Sequence, residues 1–243
     1  MNKYNIIISF LWKFAERTSV QGISFIVSIC LARLLQPSEY GEIALVMVFI
    51  NIANIIVDGG FNTSLIQAKK ADAKDFSTIF YTTLFVAIVS YIILFTAAPM
   101  IAKFYDKANL CSVVRVISLC LVAYAINSIQ RAYISKNMQF KKLFYSNLLA
   151  TIGAGAVGIV LAYQGYGIWA LVYHYIVSAY LMCFVMFLTL KWRPSLCFSM
   201  VSLKKLYGYG WKIFITNFII SLFVNIRSLL IGKFYTPSML AYF

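Results

Sequence analysis

The residues of this chain that can do chemistry lie inside its apolar runs rather than between them. In the first run, Lys13, Arg17, Gln21, Ser24 and Ser28 fall within about an 80° sector at 100° per residue, and Glu16 sits beside that sector, where it can pair with Lys13 or Arg17. In the second, Asn51, Asn54, Asp58 and Asn62 share a sector of similar width. In the last, Asn217, Ser221, Asn225 and Ser228 do the same, with Arg227 deep in the run and in need of a partner. The chemistry these types offer is binding and ion pairing, not bond breaking. A charge near a bilayer centre costs about 2.5–3.5 kcal/mol on insertion scales, so it persists where a partner or a function holds it. Three striped helices cannot all face lipid, and the expectation is that they line one internal cavity. The candidate substrate-binding set is Lys13, Glu16, Arg17, Gln21, Asn51, Asn54, Asp58, Asn217, Asn225 and Arg227. The plainer alternative is that Ser and Asn merely hydrogen-bond between helices. It suits them singly, but stripes with ionisable members exceed what packing needs.

Other polar residues carry weaker signals. Arg33 and Arg115 lie near outer helix ends, where snorkelling is the simplest reading. His174, between Tyr173 and Tyr175, suits a hydrogen-bonded packing role better than a proton relay. Ala150, Ala154, Gly158 and Ala162 recur every fourth residue as a ridge of small side chains that lets another helix approach. Cys30, Cys111, Cys120, Cys183 and Cys197 have no metal-type spacing and read as reduced packing residues. No Gly-rich phosphate loop is followed by Lys-Ser/Thr, and no acidic pair sits where a glycosyltransferase would hold a metal. Asp72 and Asp75 share a loop with three lysines and are expected to be solvated. The chain is therefore not expected to be an enzyme, and no cofactor is expected beyond possible coupling to Na+ or H+.

The elements that must position these residues follow from composition. The 243 residues are 62% hydrophobic and 12% charged, with mean hydropathy +0.84, against roughly half and a quarter in soluble domains. Apolar runs of about 20 residues span a bilayer as helices. The fold class predicted is an all-α polytopic transmembrane bundle with spans near 10–35, 43–66, 78–99, 110–133, 146–163, 168–190 and 211–234. Pro37, Pro99, Pro194 and Pro237 are expected at or just beyond helix ends, and Gly165 and Gly167 mark a tight turn. Lys3, Lys69, Lys70, Lys74, Arg131, Lys136, Lys141, Lys142, Lys191, Arg193, Lys204, Lys205 and Lys212 fall on one side. Lys103, Lys107 and Lys233 fall on the other. The positive-inside rule puts the N-terminus in the cytoplasm. The net charge of +14 is then a topology signal that meets anionic membrane lipid, not nucleic acid.

The chain also echoes itself. Leu31-Ala32-Arg33-Leu34-Leu35-Gln36-Pro37-Ser38 and Ile231-Gly232-Lys233-Phe234-Tyr235-Thr236-Pro237-Ser238 each close a run that begins after a Trp-Lys pair, Trp12-Lys13 and Trp211-Lys212. Both runs cross in the same direction, as a duplicated six-helix unit requires. Residues 1–205 are expected to form a first six-helix lobe, and 206–243 the first helix of a truncated second lobe.

The stretch Ala32-Arg33-Leu34-Leu35-Gln36-Pro37-Ser38-Glu39-Tyr40-Gly41, with Asp58-Gly59-Gly60-Phe61 and Ser64-Leu65-Ile66-Gln67 after it, resembles the opening of the bacterial polysaccharide exporters. These are the O-antigen, colanic-acid and teichuronic-acid flippases of the multidrug/oligosaccharidyl-lipid/polysaccharide exporter superfamily. Met138-Gln139-Phe140-Lys141-Lys142-Leu143 and Gly165-Tyr166-Gly167-Ile168-Trp169-Ala170-Leu171 are similar to later connections of that family. The resemblance implies two six-helix lobes around a cavity with alternating access. It also implies, as substrate, an oligosaccharide linked through pyrophosphate to undecaprenol, moved across the bacterial inner membrane for lipopolysaccharide or exopolysaccharide synthesis. Lys13, Arg17 and Arg227 would meet the pyrophosphate, and the Asn and Ser stripes the sugar hydroxyls. Asp58 would be either an ion-coupling site or a counter-ion. The chain is shorter than the family pattern, so the resemblance implies that a separate chain supplies the second lobe. The alternatives are a cation-coupled small-molecule antiporter, a membrane-embedded polymerase or glycosyltransferase, or a remnant that does not transport.

Overall fold

The computed structural model describes the backbone of residues 3–68 and 71–234 and the side-chain surroundings of residues 7–68 and 71–226. Over these residues the chain is helical, in the order α1 (Lys3–Leu34), α2 (Pro37–Asp58), α3 (Phe61–Gln67), α4 (Ala73–Phe104), α5 (Asn109–Ile117), α6 (Cys120–Lys136), α7 (Phe140–Tyr163), α8 (Ile168–Thr189) and α9 (Met200–Phe234). Six spans among the described residues are long and apolar enough to cross a membrane, with α5 and α6 together making one of them. The first helix, α1, is not among these six; Lys13, Glu16, Arg17 and Arg33 interrupt its apolar run. Large apolar side chains such as Phe10, Phe85, Ile93 and Phe223 stand on the outer surface. In water that surface would be a severe liability, but against lipid it is the ordinary state of a spanning helix. The all-α polytopic bundle is therefore as predicted.

Packing follows the small residues. Ala150, Ala154, Gly158 and Ala162 are all buried on α7, which lies between α1 and α8. A β-carbon on Gly155 would stand 2.5 Å from Val27 Cγ2 of α1, and one on Gly158 would stand 3.1 Å from His174 Cβ of α8. The ridge thus brings backbones together as expected. His174 packs at this contact and interacts with the Ala154 backbone, in keeping with the packing role expected for it. In the centre of the bundle, α2 touches α4, α5, α6 and α8. The main core joins Val46, Ile50, Val114, Leu121 and Val172.

Several boundaries differ from expectation, each for a physical reason. The second span does not run unbroken to residue 66. Gly59 and Gly60 both take left-handed backbone, at φ 52° and 71°, which ends α2 and starts α3 in a new direction. The fourth span is divided between Ser118 and Leu119. Pro99 is not at a helix end but inside α4. Lacking an N–H, it leaves the carbonyl of Phe95 unused, and Arg115 Nε of α5 donates to that oxygen at 3.4 Å. Its guanidinium also lies 4.4 Å from the Phe95 ring centroid. Arg115 therefore packs on α4 rather than simply snorkelling. Asp75 is buried and accepts from the Asp72 N–H at 3.2 Å to cap α4, so this carboxylate is not solvated. The last helix, α9, begins at Met200 rather than near 211 and packs on α2 and α3. Gly165 and Gly167, at φ 81° and 57°, form the expected turn.

Candidate functional site

The break after α2 builds a polar cavity. Asn54 and Asp58 lie one turn apart at the end of α2, and the left-handed pair Gly59–Gly60 turns the chain so that Asn62 of α3 lines the same cavity. Facing them, α6 contributes Tyr124, Asn127, Ser128 and Arg131, spaced i, i+3, i+4 and i+7 on one helix face. Together these seven residues line a cavity of about 300 Å³.

Ser128 Oγ donates to Asp58 Oδ1 at 2.5 Å and ties the two helices together. Asn127, 3% exposed, donates from Nδ2 to the Ala179 carbonyl of α8 at 2.9 Å, while its Oδ1 is buried and unpartnered. Arg131 has an unusual environment for a guanidinium in a membrane span. Its Nη2 lies 3.0 Å from Met182 Sδ, a weak acceptor, and among the described residues it forms no ion pair. Glu16 is the carboxylate that acts on it electrostatically. The cavity therefore offers one cation, one carboxylate and a set of amides and hydroxyls, and no described cluster of His, Cys, Asp or Glu there or elsewhere could hold a metal.

The other candidates fall elsewhere. Lys13 Nζ pairs with Glu16 Oε2 at 2.7 Å, and Asn147 Nδ2 of α7 donates to Glu16 Oε1. Glu16 is buried by this arrangement, so it fastens α1 to α7. Arg17, Gln21, Asn51 and Asn217 are exposed. Asn225 Nδ2 donates to the Ser221 carbonyl at 2.8 Å and to its hydroxyl at 2.9 Å, which satisfies it within its own helix. The side chain of Arg227 lies outside the described residues, as does the structure of the second echo at Pro237-Ser238.

The polar cavity is thus not the one expected between the first, second and last striped helices. No described residue of α1 or α9 lines the cavity, because α1 stacks on α7 and α9 crosses at the α2–α3 joint. The partner of α2 is α6. Arg131, counted among the cytoplasmic-side cations near the end of the expected 110–133 span, lies more than a turn inside α6, which continues to Lys136. The spacing of Tyr124, Asn127, Ser128 and Arg131 was the signal that would have found it.

The joint itself is held by α6 and α9. Lys136 Nζ donates to the carbonyls of Leu65 at 2.9 Å and Ala68 at 2.7 Å, filling the C-terminal end of α3. Tyr209 OH of α9 donates to Gln67 Oε1. A β-carbon on Gly60 would stand 2.2 Å from the Gly210 carbonyl oxygen, so the two backbones meet directly.

A family model described as "Polysaccharide biosynthesis protein" matches residues 30–243. The chain is similar to the succinoglycan biosynthesis transport protein ExoT of Rhizobium meliloti (strain 1021), at 23% identity over 212 residues, covering 86% of this chain and 43% of the relative. It is similar to the teichuronic acid biosynthesis protein TuaB of Bacillus subtilis (strain 168), at 24% over 200 residues, covering 75% and 38%. It is also similar to the lipopolysaccharide biosynthesis protein WzxC of Escherichia coli (strain K12), at 21% over 224 residues, covering 91% and 46%. The chain spans less than half the length of these relatives. No solved structure matches it.

Proposed function

Because the chain belongs to the polysaccharide biosynthesis protein family, we propose that it is the first lobe of an exporter for an oligosaccharide linked through pyrophosphate to undecaprenol. The exporter moves this substrate from the cytoplasmic to the outer leaflet of the bacterial inner membrane. The supporting observation is Arg131, a guanidinium with no ion pair among the described residues, in a cavity that also holds the Asp58 carboxylate and a set of amides and hydroxyls. A guanidinium matches phosphate oxygens in a bidentate fork. Asn54, Asn62 and Asn127 each carry a donor and an acceptor, as sugar hydroxyls require. Asp58 serves either as a site for Na+ or H+ coupling or as counter-charge to the cavity's cation. Arg17, Gln21, Asn51 and Asn217, exposed on three helices, support a second lobe opposite this one, supplied by further chain or by a companion. In this reading the chain binds and carries and has no catalytic role.

The test is a titration of the full 243-residue chain in nanodiscs with a short-chain polyprenyl-pyrophosphate disaccharide. Loss of a charged hydrogen bond costs about 1.5–3 kcal/mol, so Arg131→Ala is expected to weaken binding roughly 10- to 100-fold. Arg131→Lys should fall between, since an ammonium cannot form the fork. Unchanged affinity in Arg131→Ala would overturn the assignment. Sodium- or pH-dependent binding that Asp58→Asn abolishes would identify Asp58 as the coupling site, and affinity lost without ion dependence would identify it as the counter-charge.

A further inference from the structure

We propose that a groove between α4, α6 and α8 is a binding site for one anionic phospholipid of the cytoplasmic leaflet. The groove, about 320 Å³, is distinct from the polar cavity. Its wall is apolar, formed by Phe80, Ile126, Phe184, Phe187 and Trp192, with one amide, Gln130, set into it. An apolar wall of this size accepts a stretch of acyl chain.

Three observations make the ligand an anionic lipid rather than any hydrocarbon. First, Arg193 is fixed beside the groove. Its guanidinium lies 4.0 Å from the centroid of Phe187, a wall residue. Its Nη1 donates to the carbonyls of Leu190 at 2.6 Å and Trp192 at 2.9 Å. Among the described residues, Nε and Nη2 have no hydrogen-bond partner, which leaves them for phosphate oxygens. Arg193 is itself exposed.

Second, the wall holds unused polar atoms. Gln130 is 4% exposed and its Oε1 has no partner, and the indole Nε1 of Trp192 is buried without one. Buried groups left this way call for an unseen partner. An acceptor and a donor in one wall suit the glycerol level of a phospholipid, where ester carbonyls accept and head-group hydroxyls donate. Third, the groove lies at the Lys/Arg-rich end of the bundle. Lys191 adjoins it and Lys136 closes α6 on the same side, the side the positive-inside rule assigns to the anionic cytoplasmic leaflet.

Trp192 makes the site directly observable. The chain has four tryptophans, and Trp12→Phe, Trp169→Phe and Trp211→Phe leave Trp192 as the sole fluorophore. This full-length variant, in bilayers of phosphatidylcholine with increasing brominated phosphatidylglycerol, should be half-quenched at a several-fold lower mole fraction than with brominated phosphatidylcholine. Arg193→Gln should abolish that preference, while Arg193→Lys keeps most of it. Cys183→Phe, which fills the groove from α8, should reduce quenching by the anionic lipid at unchanged thermal midpoint. Equal quenching by both lipids would mean only annular contact and would overturn the proposal. So would a preference that survives both Arg193→Gln and Cys183→Phe. Displacement of the brominated lipid by equimolar polyisoprenyl phosphate would overturn it in favour of a substrate tail.

Discussion

Gly60 and Gly210 meet backbone to backbone: the space where a β-carbon of Gly60 would sit is 2.2 Å from the Gly210 carbonyl oxygen. One glycine stands at the turn that ends the cavity's helix, and the other lies in the first third of α9. The joint that places Asn62 beside Asp58 is thus the joint that seats α9.

A side chain at this point is expected to be poorly tolerated. In Gly60→Ala, overpacking against backbone costs about 1–3 kcal/mol, and the left-handed conformation adds about 1–2 kcal/mol. The thermal midpoint in detergent should fall by many degrees, and a disulfide between cysteines placed at Gln67 and Tyr209 should form more slowly. Gly208→Ala on the same helix meets nothing within 4 Å and should be neutral or slightly stabilising. Equal effects of the two substitutions would rule out a tight joint.

Pro99 and Arg115 should be energetically coupled. The proline frees the Phe95 carbonyl, and Arg115 Nε occupies it at 3.4 Å. Arg115→Ala is expected to cost about 1–2 kcal/mol in the native background and distinctly less after Pro99→Ala, which restores the helical donor. A double-mutant cycle on unfolding in mixed micelles measures this. Additive single effects would show that the two residues act independently.

Glu16 should behave as a fastener. Asn147 and Lys13 both bind its carboxylate. Glu16→Ala strands the half-buried Asn147 amide and should cost about 1–3 kcal/mol. Glu16→Gln keeps one acceptor oxygen and should recover part of that. The readout is protease protection of the loop ahead of α2, which opens if α1 leaves α7. Protection that is unchanged in Glu16→Ala would show that small-residue packing alone holds α1.

Much of this was legible in the sequence. Span placement followed from hydrophobic run length, and the fourfold repeat of small residues on α7 foretold its close neighbours. Asp58 stood out because a carboxylate deep in an apolar run has few inexpensive explanations. What the sequence hid was pairing. Helical periodicity shows which residues share a face but not which helix that face meets, so the stripes of α1, α2 and α9 were grouped by likeness. The structure groups Asp58 with α6 instead. Arg131 was obscured by Lys136, Lys141 and Lys142, with which it was counted as a topology-setting cation rather than as a cavity residue. The Asp58-Gly59-Gly60-Phe61 run held its own clue, since adjacent glycines break even an apolar helix when both take positive φ.

The bond between Asn147 and Glu16 also has a consequence for biogenesis. The two residues are separated by 131 positions, so on the ribosome α1 emerges long before α7 exists. At that stage Lys13, three residues away on the same helix, is the close partner the described contacts give Glu16. A helix with these charges meets the insertion machinery as a reluctant client. Its seat in the bilayer is completed only when α7 arrives, which makes α7 an internal chaperone for α1.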